Sequence, residues 1–170
     1  FGNEYGKEIG RIINLYSKYN RRVTPEMLDH KTYSLENYNE FERTVNEYRT
    51  LAMDAYRLYM QLPQKYHDSY YQLVLYPVDA CCNLYEMYYA VARNKQLAEK
   101  NDPLANIYAD KVKECFERDS VLAYRYNNVI SGGTCKHIMD QVRIGYQYWQ
   151  QPDRNKMPEL VYIPGSTTKP

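Results

Sequence analysis

Apolar and aromatic residues recur every three or four positions along most of the chain, a spacing that predicts amphipathic helices. The densest run extends from Tyr66 to Gln96, where apolar side chains also occur off the main stripe. Such a helix is usually surrounded by others, so we expect it to be the central rod of a bundle. Pro77 lacks a backbone N–H and predicts a kink near Tyr76. The predicted stripe comprises Tyr66, Tyr70, Leu73, Val74, Cys81, Leu84, Tyr85, Tyr88, Val91 and Ala92, with Tyr71, Tyr76, Met87 and Tyr89 off it.

Three further helices are predicted around this rod, at residues 4–19, 35–62 and 104–128. Ser34 is the expected N-cap of the second, which should form an antiparallel hairpin with the rod. Thr24 followed by Pro25 predicts a short helical turn between the first two helices. The predicted fold class is therefore all-α, a bundle of four to five helices with an irregular C-terminal segment.

The helical spacing ends near residue 130, and this change predicts the domain organisation. Residues 1–130 are expected to form the bundle, and residues 131–158 an irregular segment that packs on it, with a candidate helical turn at 137–141. Residues 159–170 have the composition of a linker and the start of a following β domain. The chain begins at Phe1 rather than Met, and we expect it to be a piece of a longer protein.

Composition and charge exclude some classes of partner. The net charge of +1 predicts no electrostatic surface for nucleic acid or for an anionic membrane. The sequence contains no apolar run of 18 residues, so no membrane span is expected. Tyrosine is in excess, with 21 Tyr against three Phe and one Trp. Tyrosine suits a surface that packs on another protein or binds sugars; the alternative is that these rings simply fill the helix faces.

Carboxylates are the first candidates for hydrolytic chemistry, but their pattern predicts no catalytic pair. Four of them lie on the exposed side of the second helix, where solvation explains them: Glu36, Glu40, Glu42 and Glu47. Asp79 and Glu86 lie on the central rod, where we expect each to form a salt bridge with an arginine such as Arg125 or Arg143. No cofactor is predicted.

Cysteine and histidine offer a second kind of candidate chemistry. The four cysteines have no metal-ligand spacing, so no metal site is predicted, and one disulfide between Cys115 and Cys135 is compatible with the sequence. Cys135, His137 and Asp140 bring nucleophile, base and acid types together, as a Cys–His enzyme would require. The favoured alternative is that His137 and Asp140 hydrogen-bond to anchor an irregular loop.

An aromatic cluster follows in the same segment. Tyr146, Tyr148 and Trp149 could stack on the apolar face of a sugar ring, or could form an interdomain contact. The alternative is a purely structural role, in which these rings attach the segment to the bundle.

Several stretches together resemble the helical domain of glycoside hydrolase family 115, the xylan α-1,2-glucuronidases. GGTCKHIMDQVRIGYQYWQQPDRNKMP is similar to that family's G-G-(x)3-H-x-M-D-Q-x-x-I-G-Y-x-Y-W-Q-x-P-x-x-N-x-M-P run. YSKYNRRVTPEML, YSLENYNEFERTVNEY and YQLVLYPVDACCNLYEMY resemble other parts of the domain. The resemblance covers residues 1–158. Cys135 departs from an expected aromatic residue, and Cys81 and Cys82 from small polar residues.

The resemblance implies a non-catalytic domain of a periplasmic or secreted multidomain enzyme. Such enzymes remove glucuronic or 4-O-methylglucuronic acid side chains from xylan, with the active site in an N-terminal α/β domain and a barrel. The implied partners are the neighbouring barrel and β-sandwich domains, a second copy in a possible homodimer of the parent, and xylan oligosaccharide bound by the parent. No catalytic residue is carried over to this chain. The alternative is a carbohydrate-binding or protein-interaction module.

Overall fold

Four long helical stretches carry the apolar stripes predicted from the sequence. The structure, a computed structural model, describes residues 1–146 and 150–164. Over these two ranges the fold is all-α and contains no strand, which confirms the predicted fold class. The helices are α1 (Gly2–Asn20), α2 (Glu40–Gln61), the short α3 (His67–Tyr70), α4 (Tyr76–Glu99) and α5 (Leu104–Asn128).

The rod formed by α3 and α4 runs antiparallel to α2. The ring of Tyr48 lies 4.2 Å from that of Tyr85, whereas further along α2 the carbonyl of Ala55 accepts a hydrogen bond from the Tyr70 hydroxyl at 3.0 Å. Residue numbers therefore rise on one helix as they fall on the other, which confirms the predicted hairpin. This packing buries the apolar face of α2 against the rod.

α5 lies on another side of α4, again antiparallel. The Asn83 side chain donates to the carbonyl of Cys115, and the Asn94 side chain donates to that of Ala105, both at 2.8 Å. α4 is thus packed between α2 and α5, and fifteen of its residues are buried. Its burial on several sides agrees with the central position expected from its apolar pattern.

The rod passes Pro77 through a π-helical turn rather than a break. Tyr71–Leu75 form this turn, and Pro77 lies in the first turn of α4, where its missing N–H is tolerated. A π-helical turn accommodates one extra residue in the helix and changes the register of the preceding side chains. Leu73 is consequently 65% exposed, so its predicted place in the core is wrong.

α2 begins five residues later than predicted. Ser34 does cap a turn, because its Oγ accepts the backbone N–H groups of Glu36 and Asn37. Tyr38 and Asn39 then adopt positive φ angles of 55° and 50°, which are incompatible with a continuous α-helix. Tyr38, which the predicted helix at residues 35–62 would place on its apolar stripe, is 88% exposed and lies outside the core.

Much of the tyrosine excess is accounted for by the core. Tyr48, Tyr70, Tyr71 and Tyr85 are at most 1% exposed and are among the largest fully buried side chains. The hydroxyl of Tyr48 donates to Asn20 Oδ1 at 2.9 Å, so the ring is buried while the polar group keeps a partner. These rings fill helix faces, which was the alternative to a sugar-binding or interface role.

Residues 134–146 and 150–164 lie against the bundle and form no helix or strand. Residues 134–139 form successive turns in place of the candidate helical turn at 137–141. Residues 159–163 are not paired in a sheet and instead contact α4 and α5. None of the described helices has the length and apolar composition that crossing a membrane requires.

Candidate functional site

Arg143 attaches the C-terminal segment to α5 through a two-pronged ion pair. Its Nε and Nη2 donate to the two carboxylate oxygens of Asp119 at 3.0 and 2.7 Å. Its Nη1 donates to the carbonyls of Met139 and Gln141, which lie in the same segment. A planar guanidinium can satisfy a carboxylate and two carbonyls at once, so this single side chain closes a loop and fixes it to the bundle.

Asn155 completes this attachment from the other side of the loop. Its side-chain oxygen accepts the N–H groups of Arg143 and Ile144, and its amide nitrogen donates to Asp119 at 3.3 Å. Next to it, Gly145 has φ +95°, and a Cβ there would lie 2.9 Å from that of Lys156. Glycine is required because the two chain segments approach so closely.

His137 and Asp140 lie in contact in the preceding turn. His137 Nδ1 is 2.6 Å from one oxygen of Asp140, whose other oxygen accepts a hydrogen bond from the Asn127 amide at 2.7 Å. Asn127 also accepts the backbone N–H of Met139, which ties the turn to the end of α5. The arrangement is the one expected of loop-anchoring residues.

The Cys–His alternative finds no such geometry. Cys135 Sγ accepts a hydrogen bond from the Gln72 amide at 2.8 Å, whereas the His137 ring interacts with Asp140. All four cysteines have free thiols, so the disulfide between Cys115 and Cys135 that the sequence allowed is not formed. A nucleophilic cysteine requires a base within hydrogen-bond reach, and the side chains that contact Cys135 and His137 are different.

A cleft of about 240 Å³ opens where the segment crosses α4 and α5. Tyr146 lines it beside the pair of Asp119 and Arg143; Tyr148 and Trp149 lie outside the described residues. Cys81 also lines this cleft, but its thiol contacts Tyr16 and Asn20, and burial raises the pKa of that thiol, which keeps it protonated and unreactive. The volume is below the roughly 300–1,000 Å³ of pockets that enclose drug-sized ligands. The remaining lining is mostly apolar: Pro25, Ala80, Leu84, Ile138, Met139 and Val142, with Glu26 and Gln141.

A second group of charged side chains lies between α2, α4 and α5. Asp79, 1% exposed, accepts hydrogen bonds from Arg118 at 2.5 Å and from the Tyr56 hydroxyl at 2.8 Å. Glu86, two turns along α4, accepts one from Arg49 at 2.6 Å and lies 4.0 Å from Arg118. The two carboxylates are therefore neutralised by two arginines.

Salt bridges of Asp79 and Glu86 were predicted, but the predicted partners are wrong. Arg125 lies over the ring of Tyr71 at 4.4 Å, and Arg143 pairs with Asp119. The sequence offered several arginines at suitable positions, and only the packing of α5 against α4 decides which of them reaches each carboxylate.

The four acidic residues predicted on the exposed side of the second helix differ in whether they have a partner. Glu36 and Glu42 are exposed, Glu47 pairs with Arg22, and Glu40 accepts the backbone N–H of Ser34 at 3.1 Å. These are surface roles that solvated side chains commonly have.

Two asparagines that contact the C-terminal segment have no role predicted from the sequence. Asn94 and Asn106 are buried, and their side chains bind the backbone of Val161 and Ile163. The available signal was an amide on the apolar face of each helix, where a polar group must find hydrogen-bond partners.

Comparison with known proteins adds no assignment. No protein-family model and no curated protein matches this chain. Among residues 1–146 and 150–164, no group of three or more His, Cys, Asp or Glu side chains is placed to hold a metal ion.

Proposed function

We propose that this chain is a non-catalytic helical domain of a xylan α-1,2-glucuronidase and serves there as an interdomain scaffold. The proposal rests on the resemblance to glycoside hydrolase family 115 over residues 1–158, together with the state of the carboxylates. The parent would be a periplasmic or secreted enzyme that removes glucuronic acid side chains from xylan.

The observation that carries the non-catalytic role is the pairing of three carboxylates within the bundle, two buried (Asp79 and Asp119) and one partly buried (Glu86). Asp79 is held by Arg118, Glu86 by Arg49 and Asp119 by Arg143. A glycosidase needs two carboxyl groups that flank the bond to be cleaved, one of which gives or takes a proton. Carboxylates fixed to guanidinium groups inside a bundle stabilise helix packing and are poorly suited to that exchange.

The scaffold role is supported by apolar side chains left on outer helix faces. On α1, Ile9 and Ile12 are buried, while the neighbouring Ile13 is 40% exposed. We expect this helix to pack on the catalytic barrel and residues 149–158 to position a following β-sandwich. Burial of such a face against a neighbouring domain would remove apolar surface from water.

The first test is incubation of the chain with glucuronoxylan oligosaccharides, with released glucuronic acid measured by ion chromatography. An intact α-glucuronidase is the positive control. We expect no release above the buffer blank; clear release would overturn the proposal. Binding of the oligosaccharide without hydrolysis, measured by calorimetry, would instead favour a carbohydrate-binding module.

The scaffold itself is tested by mixing the chain with the N-terminal and barrel domains of a family 115 enzyme that lacks its own helical domain. We expect association in sedimentation velocity that Ile13→Glu abolishes. Tyr124→Glu, at a more exposed site on α5 (64% against 40% for Ile13), is the control and should leave association intact. Failure of the wild-type chain to associate would refute the scaffold role.

A further inference from the structure

Two asparagine side chains hold the backbone of the C-terminal segment as a neighbouring β-strand would. Asn94 Oδ1 accepts the N–H of Val161 at 3.0 Å, and its Nδ2 donates to the carbonyl of the same residue at 2.7 Å. Asn106 binds Ile163 in the same way, accepting at 2.8 Å and donating at 3.1 Å. Each side-chain amide therefore hydrogen-bonds to both the N–H and the C=O of one residue.

The spacing of the two bound residues matches an extended peptide. Successive residues of a strand face opposite sides, so residues two apart present their N–H and C=O groups in the same direction. Asn94 on α4 and Asn106 on α5 are placed to meet that repeat. The two helices thus provide a short edge that can pair with a peptide although the fold contains no sheet within its described residues.

Both asparagines are buried when the segment is in place. Asn94 is 0% exposed and also donates to the carbonyl of Ala105, which fixes the orientation of its amide; Asn106 is 7% exposed. A buried amide without partners is costly, so these positions require a hydrogen-bonding group to lie on them. The hydrogen bonds of the two asparagines to Val161 and Ile163 are made to the peptide main chain alone.

The residue between the two bound ones supplies selectivity. The Tyr162 hydroxyl donates to Asp110 Oδ1 at 2.9 Å, and the Lys113 ammonium lies 4.7 Å from the centre of its ring. Yet Val161 and Tyr162 are 44% and 43% exposed. The segment therefore lies at the surface, with somewhat less than half of each of these two residues exposed.

We propose that the groove between Asn94 and Asn106 is a binding site for an extended peptide, recognised through its main chain, which residues 160–163 occupy as a displaceable cis ligand. The class of ligand is an extended segment with a hydroxylated aromatic residue between two residues that have free backbone N–H groups. The peptide would bind as one does when it adds to the edge strand of a sheet, except that the side-chain amides of Asn94 and Asn106 replace the main chain of that strand. This inference does not depend on the proposed glucuronidase context.

The test uses the full chain with its own segment disabled. Val161→Pro combined with Ile163→Pro removes both N–H donors, because proline has none, and so empties the groove without shortening the chain. A fluorescein-labelled peptide PELVYIPG is then titrated into this variant and into the wild type, and binding is followed by anisotropy. We expect saturable binding to the variant and at least about tenfold weaker binding to the wild type, whose cis segment competes.

Two controls isolate the main-chain contacts. Asn94→Ala in the double-proline background should abolish binding, and a peptide N-methylated at the residues equivalent to Val161 and Ile163 should not bind. Equal binding to wild type and variant, binding insensitive to Asn94→Ala, or no binding to a variant that keeps its helical circular dichroism would each overturn the proposal. Sedimentation velocity of the unlabelled variant mixed with wild type distinguishes a free peptide from a segment donated by a second copy.

Amide hydrogen exchange on the wild-type chain gives a test that does not rely on the proline variant folding. The N–H groups of Val161 and Ile163 should exchange slowly, whereas that of Tyr162 makes no hydrogen bond to a described residue and should exchange fast. Asn94→Ala should remove the protection at Val161. Uniform protection, or protection unaffected by the substitution, would refute the site.

Discussion

The buried carboxylate of Asp79 provides the sharpest test of the packing between α4 and α5. Its oxygens are bound by Arg118 and Tyr56, and only 1% of the residue is exposed. Arg118→Met keeps most of the side-chain volume but leaves the carboxylate with the tyrosine hydroxyl alone. Removing one partner of a buried pair typically costs about 3–5 kcal/mol, because a charge then remains buried without compensation.

The size of the effect follows from the exposure of the two partners. The Arg118 side chain is 42% exposed, so water already screens the pair in part, and we expect the lower end, about 3 kcal/mol. For a chain of this size each 1 kcal/mol changes the melting temperature by about 2–4 °C. Arg118→Met should therefore lower the melting temperature by roughly 6–12 °C, measured by circular dichroism and checked by urea unfolding.

Arg57→Met is the matched control, because Arg57 lies on α2 and lines the same surface depression as Asp79 and Arg118. Arg57 is 66% exposed and pairs with Asp54 at 3.3 Å, an exposed pair whose loss should cost at most about 1 kcal/mol. Asp79→Leu combined with Arg118→Met should recover most of the stability, since no charge is left buried. If Arg118→Met costs no more than Arg57→Met, the carboxylate of Asp79 is not desolvated and the described packing of α5 is wrong.

Two further predictions concern titration and buried hydroxyls. Burial, and then the nearby Lys95, lower the pKa of His30 from its ordinary 6.5, so the unfolded chain binds more protons and stability falls as pH decreases below about 6.5. His30→Gln should reduce the loss of melting temperature between about pH 7.5 and 5.5; an unchanged loss would contradict this. Tyr70→Phe removes a hydrogen bond to the Ala55 carbonyl and should cost about 0.5–1.5 kcal/mol in urea unfolding. Tyr71→Phe removes a hydroxyl with no partner among residues 1–146 and 150–164 and should be neutral or stabilising. A larger loss of stability for Tyr71→Phe than for Tyr70→Phe would refute this assignment of hydrogen bonds to the two hydroxyls.

Helix positions were largely predictable because their signals are local. The apolar spacing predicted a helix at residues 104–128, and α5 spans Leu104–Asn128. The surplus of apolar side chains on the rod likewise predicted its central place. Periodicity failed where the backbone departed from a regular helix, at the π-helical turn Tyr71–Leu75 and at the positive φ angles before α2.

The candidate site was predictable only where its contacts are close in sequence. His137 and Asp140 are three residues apart, and their contact was expected from that spacing. Arg143 and Asp119 are separated by 24 residues, and Arg118 reaches Asp79 across 39. The sequence supplied several arginines for these carboxylates, and helix packing selected among them.

What the sequence by itself determined is the set of amphipathic helices, since each residue's preference and the 3.6-residue repeat act within a few turns. The tertiary structure alone decided which polar groups meet. Asn94 and Asn106 looked like isolated amides in helical stripes until the bundle placed them beside Val161 and Ile163. Hydrogen bonds and ion pairs act over a few ångströms, so their partners are known only once the chain has folded and brought distant segments together.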